Sequence, residues 1–84
     1  MISEIDYKQL CWASRRGMLE LDLILMPFVE NRFRELSTED QQRYIQLVEG
    51  EDNDMFAWLL GRERPENPEL AIIVDQIITY SRGQ

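Results

Sequence analysis

The stretch MLELDLILMPFVENRFR, residues 18–34, decides the fold of this chain. Its apolar residues occupy nearly every side of a helix, a pattern typical of a helix that other helices surround. A strand over residues 23–29 is the alternative, but Pro27 interrupts it and no second strand is available to pair with it. The stretch therefore predicts a central, apolar second helix.

Capping signals on both sides of this stretch predict further helices. A side chain that accepts a backbone N–H marks a helix start, and glycine commonly follows a helix end. Pro68 fits the first position of the last helix, which we expect to run to near Ser81. The expected N-caps are Ser3, Ser37, Asp52 and Asn67, and the expected glycine stops are Gly17, Gly50 and Gly61.

These signals predict an all-α fold, a compact five-helix bundle with the central apolar second helix. We expect one helical domain over residues 1–84, because a chain this short supports one small core. Large apolar side chains at helical spacing are assigned to that core. They include Tyr7, Leu10, Cys11, Met55, Phe56, Leu59 and Leu60. Trp12 and Trp58 are assigned to the core because tryptophan more often fills a core, with Trp12 shared between core and interface.

Charge and composition narrow the class of partner. The chain has 84 residues, a formal net charge of −7 and no histidine. Nucleic acid and anionic membrane surfaces require clustered basic residues, so a protein partner is favoured. Without histidine the chain lacks the usual proton shuttle at neutral pH and the commonest transition-metal ligand. The composition argues against an enzyme with a conventional acid–base site.

Other sequence features predict a cytoplasmic protein without direct membrane insertion. Cys11 is the single cysteine, which rules out an internal disulfide and suits a reducing compartment. No stretch approaches the roughly 20 apolar residues that span a bilayer, and the first residues resemble neither a secretory signal nor a transit peptide. The acidic residues between 49 and 54 lack the spacing of a calcium loop, so we expect capping and no metal site.

Residues 15–20, RRGMLE, place charged residues and a glycine in a region whose other residues are expected to pack in the core. Arg16 and Glu20 are four residues apart and could pair on one side of a helix, which adds only about 0.2–0.5 kcal/mol. Gly17 inside a helix would cost roughly 1 kcal/mol, so a turn, a positive φ or the close approach of another chain explains it better. The structural alternative is that Arg15 and Arg16 form a solvated helix end favoured by the helix dipole, with Gly17 after it.

The run WASRRGMLELD, residues 12–22, closely resembles the R-G-x-x-E signature of the SdhE-type proteins. The resemblance continues in order through residues 26–28, 47–49 and 52–59. These proteins are assembly factors that promote covalent attachment of FAD to the flavoprotein subunit of succinate dehydrogenase and fumarate reductase. The resemblance thus implies a chaperone-like function and no enzymatic activity.

The same resemblance implies the site and the partner. Arg16, Gly17 and Glu20, with Arg15 and Met18 beside them, would bind the flavoprotein subunit of succinate dehydrogenase or fumarate reductase. The chain would be a monomer that holds no FAD tightly and acts on the FAD of the partner. Gly17 would allow the partner backbone to approach closely.

Two other functions remain open at this point. An independent small enzyme or FAD carrier would need a glycine-rich dinucleotide motif or a phosphate loop, and neither pattern occurs in the sequence. An antitoxin-like or other regulatory protein-interaction module without a flavin role is neither supported nor excluded by the residues.

Overall fold

The computed structural model describes residues 3–83, which form five α-helices and no strand. The helices are α1 (Glu4–Ser14), α2 (Leu19–Asn31), α3 (Thr38–Val48), α4 (Asp52–Leu59) and α5 (Pro68–Gly83). A 3-10 turn at Phe33–Glu35 follows α2, which ends earlier than the apolar stretch does. The predicted all-α, five-helix fold is confirmed.

Three helices begin where the capping residues predicted. The hydroxyl oxygens of Ser3 and Ser37 each accept a backbone N–H at 3.1 Å, from Asp6 and Asp40. The Asn67 side-chain oxygen accepts the N–H of the second residue of α5 at 2.9 Å. Each bond satisfies a donor that has no partner inside its helix.

The start of α4 differs from the prediction, whereas its end agrees. Asp52 is the first helical residue, Glu51 holds the N-cap position, and no side chain caps this end. Gly61 follows the last turn with φ +77°, and its N–H donates to the Trp58 carbonyl at 3.2 Å. A left-handed glycine in this position is the usual way to end a helix. The Asp52 carboxylate is therefore available for another contact, described below.

Helix α2 lies at the centre of the bundle and packs against α1, α4 and α5. One face of α2 is fully buried and supplies Leu21, Leu25, Phe28 and Val29 to the core. The opposite side carries Leu19 and Leu23, which are 69% and 66% exposed. The central position of α2 is confirmed, but the other helices do not surround it completely.

Tyr44 of α3 is the largest fully buried side chain. Its ring stacks on Phe28 at a centroid distance of 5.7 Å and meets Phe33 edge-on at 5.6 Å. Its hydroxyl shares a 2.7 Å hydrogen bond with the hydroxyl of Ser14, the last residue of α1. Burial raises the pKa of Tyr44 well above its ordinary value, so the phenol stays neutral. The bond fixes the end of α1 against α3.

Some core assignments were wrong. Trp12 is 76% exposed and Leu60 is 38% exposed, although both were assigned to the core. Cys11 and Trp58 are both half-buried and pack at the edge of the core.

Within residues 3–83, no helix is both long and apolar enough to cross a membrane.

A polar network joins α3 to α5 at the surface. The Asp40 carboxylate accepts a hydrogen bond from Gln76 at 2.8 Å and one from Arg43 at 2.6 Å. Arg43 also donates to Glu69 at 2.8 Å. The hydrogen bond from Gln76, followed by that from Arg43, holds the pKa of Asp40 below its usual value.

This lowered pKa predicts an acid-dependent loss of stability. A carboxyl group whose folded pKa is depressed adds stability above its unfolded pKa, and that stability is lost as pH falls through the folded pKa. We expect Asp40→Asn to flatten the decline of unfolding free energy below about pH 4, measured by urea titrations from pH 2 to 6. Asp75→Asn, in an exposed pair with Arg64, is the control and should change the slope less. Identical slopes for wild type and Asp40→Asn would contradict the prediction.

Candidate partner-docking site

The segment between α1 and α2, residues 15–18, carries most of the predicted site. Helix α1 ends at Ser14, whose hydroxyl lies within 2.9 Å of the Leu10 carbonyl. The backbone then turns at Gly17, where φ is +81°. The N–H of Arg16 donates to the Asp22 carboxylate at 2.9 Å, which ties the loop to the first turns of α2. Both ends of the loop are therefore fixed by hydrogen bonds.

The Arg16 side chain points into the bundle and has four acceptors. Its Nε donates to Asp52 at 2.6 Å. Its Nη1 donates at 2.8 Å to the carbonyls of Ala13 and Val48. Its Nη2 donates at 2.8 Å to the carbonyl of Gly50. One guanidinium thus joins the end of α1, the end of α3 and the start of α4.

The position of this guanidinium is electrostatically favourable. The last carbonyls of a helix have no partner inside the helix and carry partial negative charge, which a cation stabilises. Val48 is the last residue of α3, and Asp52 adds a full negative charge opposite. The Arg16 side chain is only 16% exposed, so solvent screens these bonds less than it screens a surface pair. Arginine suits the place because its planar group offers five donors in fixed directions.

Arg16 and Glu20, which the sequence would allow to pair, are not paired with each other in the structure. Arg16 lies in the loop and not in a helix, and its ion-pair partner is Asp52. Glu20 is in the first turn of α2 and is exposed, and its side chain makes no hydrogen bond or ion pair within residues 3–83. The prediction of a solvated helix end fits Arg15, which is exposed. It does not fit Arg16, whose side chain is mostly buried.

The remaining site residues divide between surface and core. Arg15, Gly17 and Glu20 are exposed, and the Arg15 side chain also has no ion pair among the described residues. Met18 is half-buried and packs at the edge of the core. The segment therefore exposes two charged side chains and a glycine. Arg16 and Met18 attach it to the bundle through hydrogen bonds and core packing.

Gly17 is explained first by its backbone. A residue with a side chain is strained at φ +81° whatever space surrounds it. A Cβ at this position would meet nothing within 4 Å, so no internal contact excludes a side chain. The same open space leaves the backbone here accessible to another molecule.

Several residues of this region were not identified from the sequence. The sequence predicts Asp52 as a helix cap and places Leu19 and Leu23 on an enclosed helix. The sequence did contain a signal that some leucines of α2 are exposed. Helix α2 is apolar over more of its circumference than one buried face requires. Nothing local marks Asp52 as the partner of Arg16, because the two residues are 36 positions apart. Within residues 3–83, no group of three or more acidic or cysteine side chains is placed to hold a metal ion.

Comparison with known proteins places this chain in a family. The family model described as flavinator of succinate dehydrogenase matches residues 8–81. A protein of Photobacterium profundum named FAD assembly factor SdhE is 40% identical over 84 residues, covering 100% of this chain and 96% of its own length. A protein of the same name from Pseudomonas aeruginosa is 47% identical over 78 residues, covering 93% of each chain.

A third FAD assembly factor SdhE, from Shewanella oneidensis, is 52% identical over 66 residues and covers 79% of this chain and 80% of its own. The solution structure of a UPF0350 protein, 41% identical, superposes with a TM-score of 0.81 over 99% of this chain and 88% of that one. These matches define a helical FAD assembly factor as the class of protein. The chain belongs to the family of flavinators of succinate dehydrogenase, and the assembly function predicted from the sequence is confirmed at this level.

The Arg16 contacts predict a large loss of stability on truncation. Arg16→Ala leaves Asp52 and three carbonyls without their donor, and we expect it to lower the unfolding free energy by about 2 kcal/mol or more. For a domain of this size that corresponds to a melting midpoint lower by roughly 8–16 °C, measured by circular dichroism. Arg16→Lys should lose less, since it keeps the charge but cannot reach every acceptor. Arg15→Ala is the matched control, and equal midpoints for the two alanine variants would contradict this role of Arg16.

The backbone of Gly17 predicts a smaller effect. We expect Gly17→Ala to destabilise the fold by about 1 kcal/mol, because alanine is strained at positive φ. Gly17→Asn should lose less than Gly17→Ala, since asparagine tolerates the left-handed region better. Gly83→Ala, at a helical glycine, is the control and should be neutral or slightly stabilising. Thermal melts of the three variants test this, and an unchanged midpoint for Gly17→Ala would exclude the backbone explanation.

Proposed function

We propose that this chain binds the flavoprotein subunit of succinate dehydrogenase or fumarate reductase and promotes its covalent FAD attachment. Membership of the flavinator family and the names of the relatives support this function. The flavin and the side chain to which it is joined would belong to the client subunit. This chain would supply binding and orientation, which lower the barrier by holding reacting groups in place.

We infer that residues 15–20 contact the client, with Arg15, Gly17 and Glu20 at the surface. One observation supports this inference most directly. The segment is held by the hydrogen bonds of Arg16, while the exposed side chains of Arg15 and Glu20 have no ion pair within residues 3–83. Arg15 and Glu20 could therefore bind complementary charges of a partner without first breaking internal pairs. Charged contacts of this kind fix the register of an interface.

Arg16 and Met18 would contribute to docking indirectly, because they position the loop without contacting the partner. Arg16 holds the loop in one conformation, and Met18 packs against the core. A loop that is ordered before binding loses less conformational entropy on binding, which increases affinity. Gly17 adds no side chain at the point of contact, so a partner backbone could lie directly against it.

The same proposal covers cofactor, oligomeric state and location. We expect the isolated chain to be a cytoplasmic monomer that binds FAD weakly or not at all. The sequence has no histidine and no glycine-rich dinucleotide motif, which agrees with a chain that leaves flavin binding to its client.

Substitution of Glu20 tests client binding without a large change in the stability of the fold. Glu20→Ala should weaken binding to the purified flavoprotein subunit about tenfold or more, because truncation of a desolvated interface charge is costly. Glu39→Ala is the matched control, since Glu39 holds the same second position in α3 as Glu20 does in α2. Both variants lose a similar helix-dipole contribution. Covalent flavin on the client, read as in-gel fluorescence after denaturation, should fall only with Glu20→Ala.

Two outcomes would count against this assignment. If wild-type chain neither binds the subunit nor increases its covalent flavin, the proposed function is wrong. If wild type acts and Glu20→Ala acts equally well at limiting expression, the docking surface lies outside the R-G-x-x-E segment.

A further inference from the structure

An apolar patch remains exposed beside the R-G-x-x-E segment. Trp12, Leu19 and Leu23 are 76%, 69% and 66% exposed, and Met26 is half-buried next to them. We name these four residues the α1–α2 patch. Scattered exposed apolar side chains are ordinary on protein surfaces, whereas a contiguous group commonly marks an interaction site.

The geometry makes the patch contiguous. Leu19, Leu23 and Met26 are spaced at i, i+4 and i+7 on α2, so they share one side of that helix. Met26 and Trp12 line the same shallow cavity of about 240 Å³ between α1 and α2, together with Cys11 and Arg15. The cavity therefore links the apolar side of α2 to the tryptophan of α1.

The patch is also continuous with the proposed docking segment. Leu19 lies between Met18 and Glu20 in the motif itself. Arg15, which precedes the motif arginine, borders the cavity that Trp12 lines. A partner that covered Arg15 and Glu20 would consequently reach Leu19 and Trp12 without a second, separate interface.

We propose that the α1–α2 patch is the apolar half of the client-docking surface and binds an apolar segment of the flavoprotein subunit that carries a carboxylate. This inference rests on the proposed function. An apolar side chain of the client would enter the cavity beside Trp12, and the client carboxylate would pair with Arg15 at its edge. Tryptophan in such a position is a frequent hot spot, because it buries a large area with few rotatable bonds.

A second copy of this chain fits the patch less well. Each copy carries a formal net charge of −7, so two copies repel each other. A stable interface typically involves about 20–30 residues on each side, far more than these four side chains supply. The patch suits a hydrophobic anchor inside a larger interface with a different protein.

Substitutions on and off the patch test the proposal. Trp12→Ala and Leu23→Ala should each weaken binding to the purified flavoprotein subunit of succinate dehydrogenase about tenfold, measured by titration calorimetry. Ile72→Ala is the matched control, because Ile72 is an exposed aliphatic residue of α5, which packs against α2, α3 and α4. The control should bind within twofold of wild type. Melting midpoints of all three should stay close to wild type, since these side chains are exposed.

The outcomes separate this proposal from the proposed function. Wild type that binds the subunit, with both patch variants binding equally well, would overturn the patch alone. Wild type that fails to bind the subunit would overturn the proposed function and the patch with it. Sedimentation of the isolated chain provides a third check. A wild-type dimer that becomes monomeric in Leu23→Ala, with unchanged client binding, would make the patch a contact between copies and overturn its assignment to the client.

Discussion

The guanidinium of Arg16 is the contact on which the arrangement of the α1–α2 region depends. It donates to the Asp52 carboxylate and to carbonyls at the ends of α1 and α3, with distances from 2.6 to 2.8 Å. Without the guanidinium these acceptors would lose a charged donor, and unpaired carbonyls in partly buried positions are costly. A single side chain therefore fixes where three helices meet.

This contact changes how the R-G-x-x-E motif is understood. A motif that resembles the signature of assembly factors suggests that each of its residues contacts the partner. In the structure the motif has two sides, because Arg16 faces inward while Gly17 and Glu20 face outward. The inward arginine ties the loop to Asp52 and to the ends of α1 and α3, and the glycine permits the turn that leads into α2. On the proposed function, loss of Arg16 would affect folding and docking together, whereas loss of Glu20 would affect docking alone.

The fold was largely predictable because its signals are local. Hydroxyl caps at Ser3 and Ser37, the Asn67-Pro68 start and the nearly continuous apolar run of α2 each act within a few residues, and each appears in the structure. The Arg16 contacts were not predictable in this way. Asp52, Val48 and Gly50 lie 32 to 36 residues from Arg16, so only the packed fold brings them together. Trp12 was misplaced because tryptophan more often fills a core than a surface, although residue 12 lies off the α1 face that buries Leu10 and Ser14.

The two halves of the bundle differ in how their surface groups are used. Between α3 and α5, Asp40, Arg43, Glu69 and Gln76 bond to one another, so their charges are satisfied within the chain. At the α1–α2 junction the situation is reversed, since Arg15 and Glu20 have no internal ion pair within residues 3–83 and Leu23 is exposed. A bundle of this length has too few helices to cover every face of an apolar central helix. The uncovered face of α2 begins where the anchored loop ends, which concentrates apolar contact and free charge in one region of the surface.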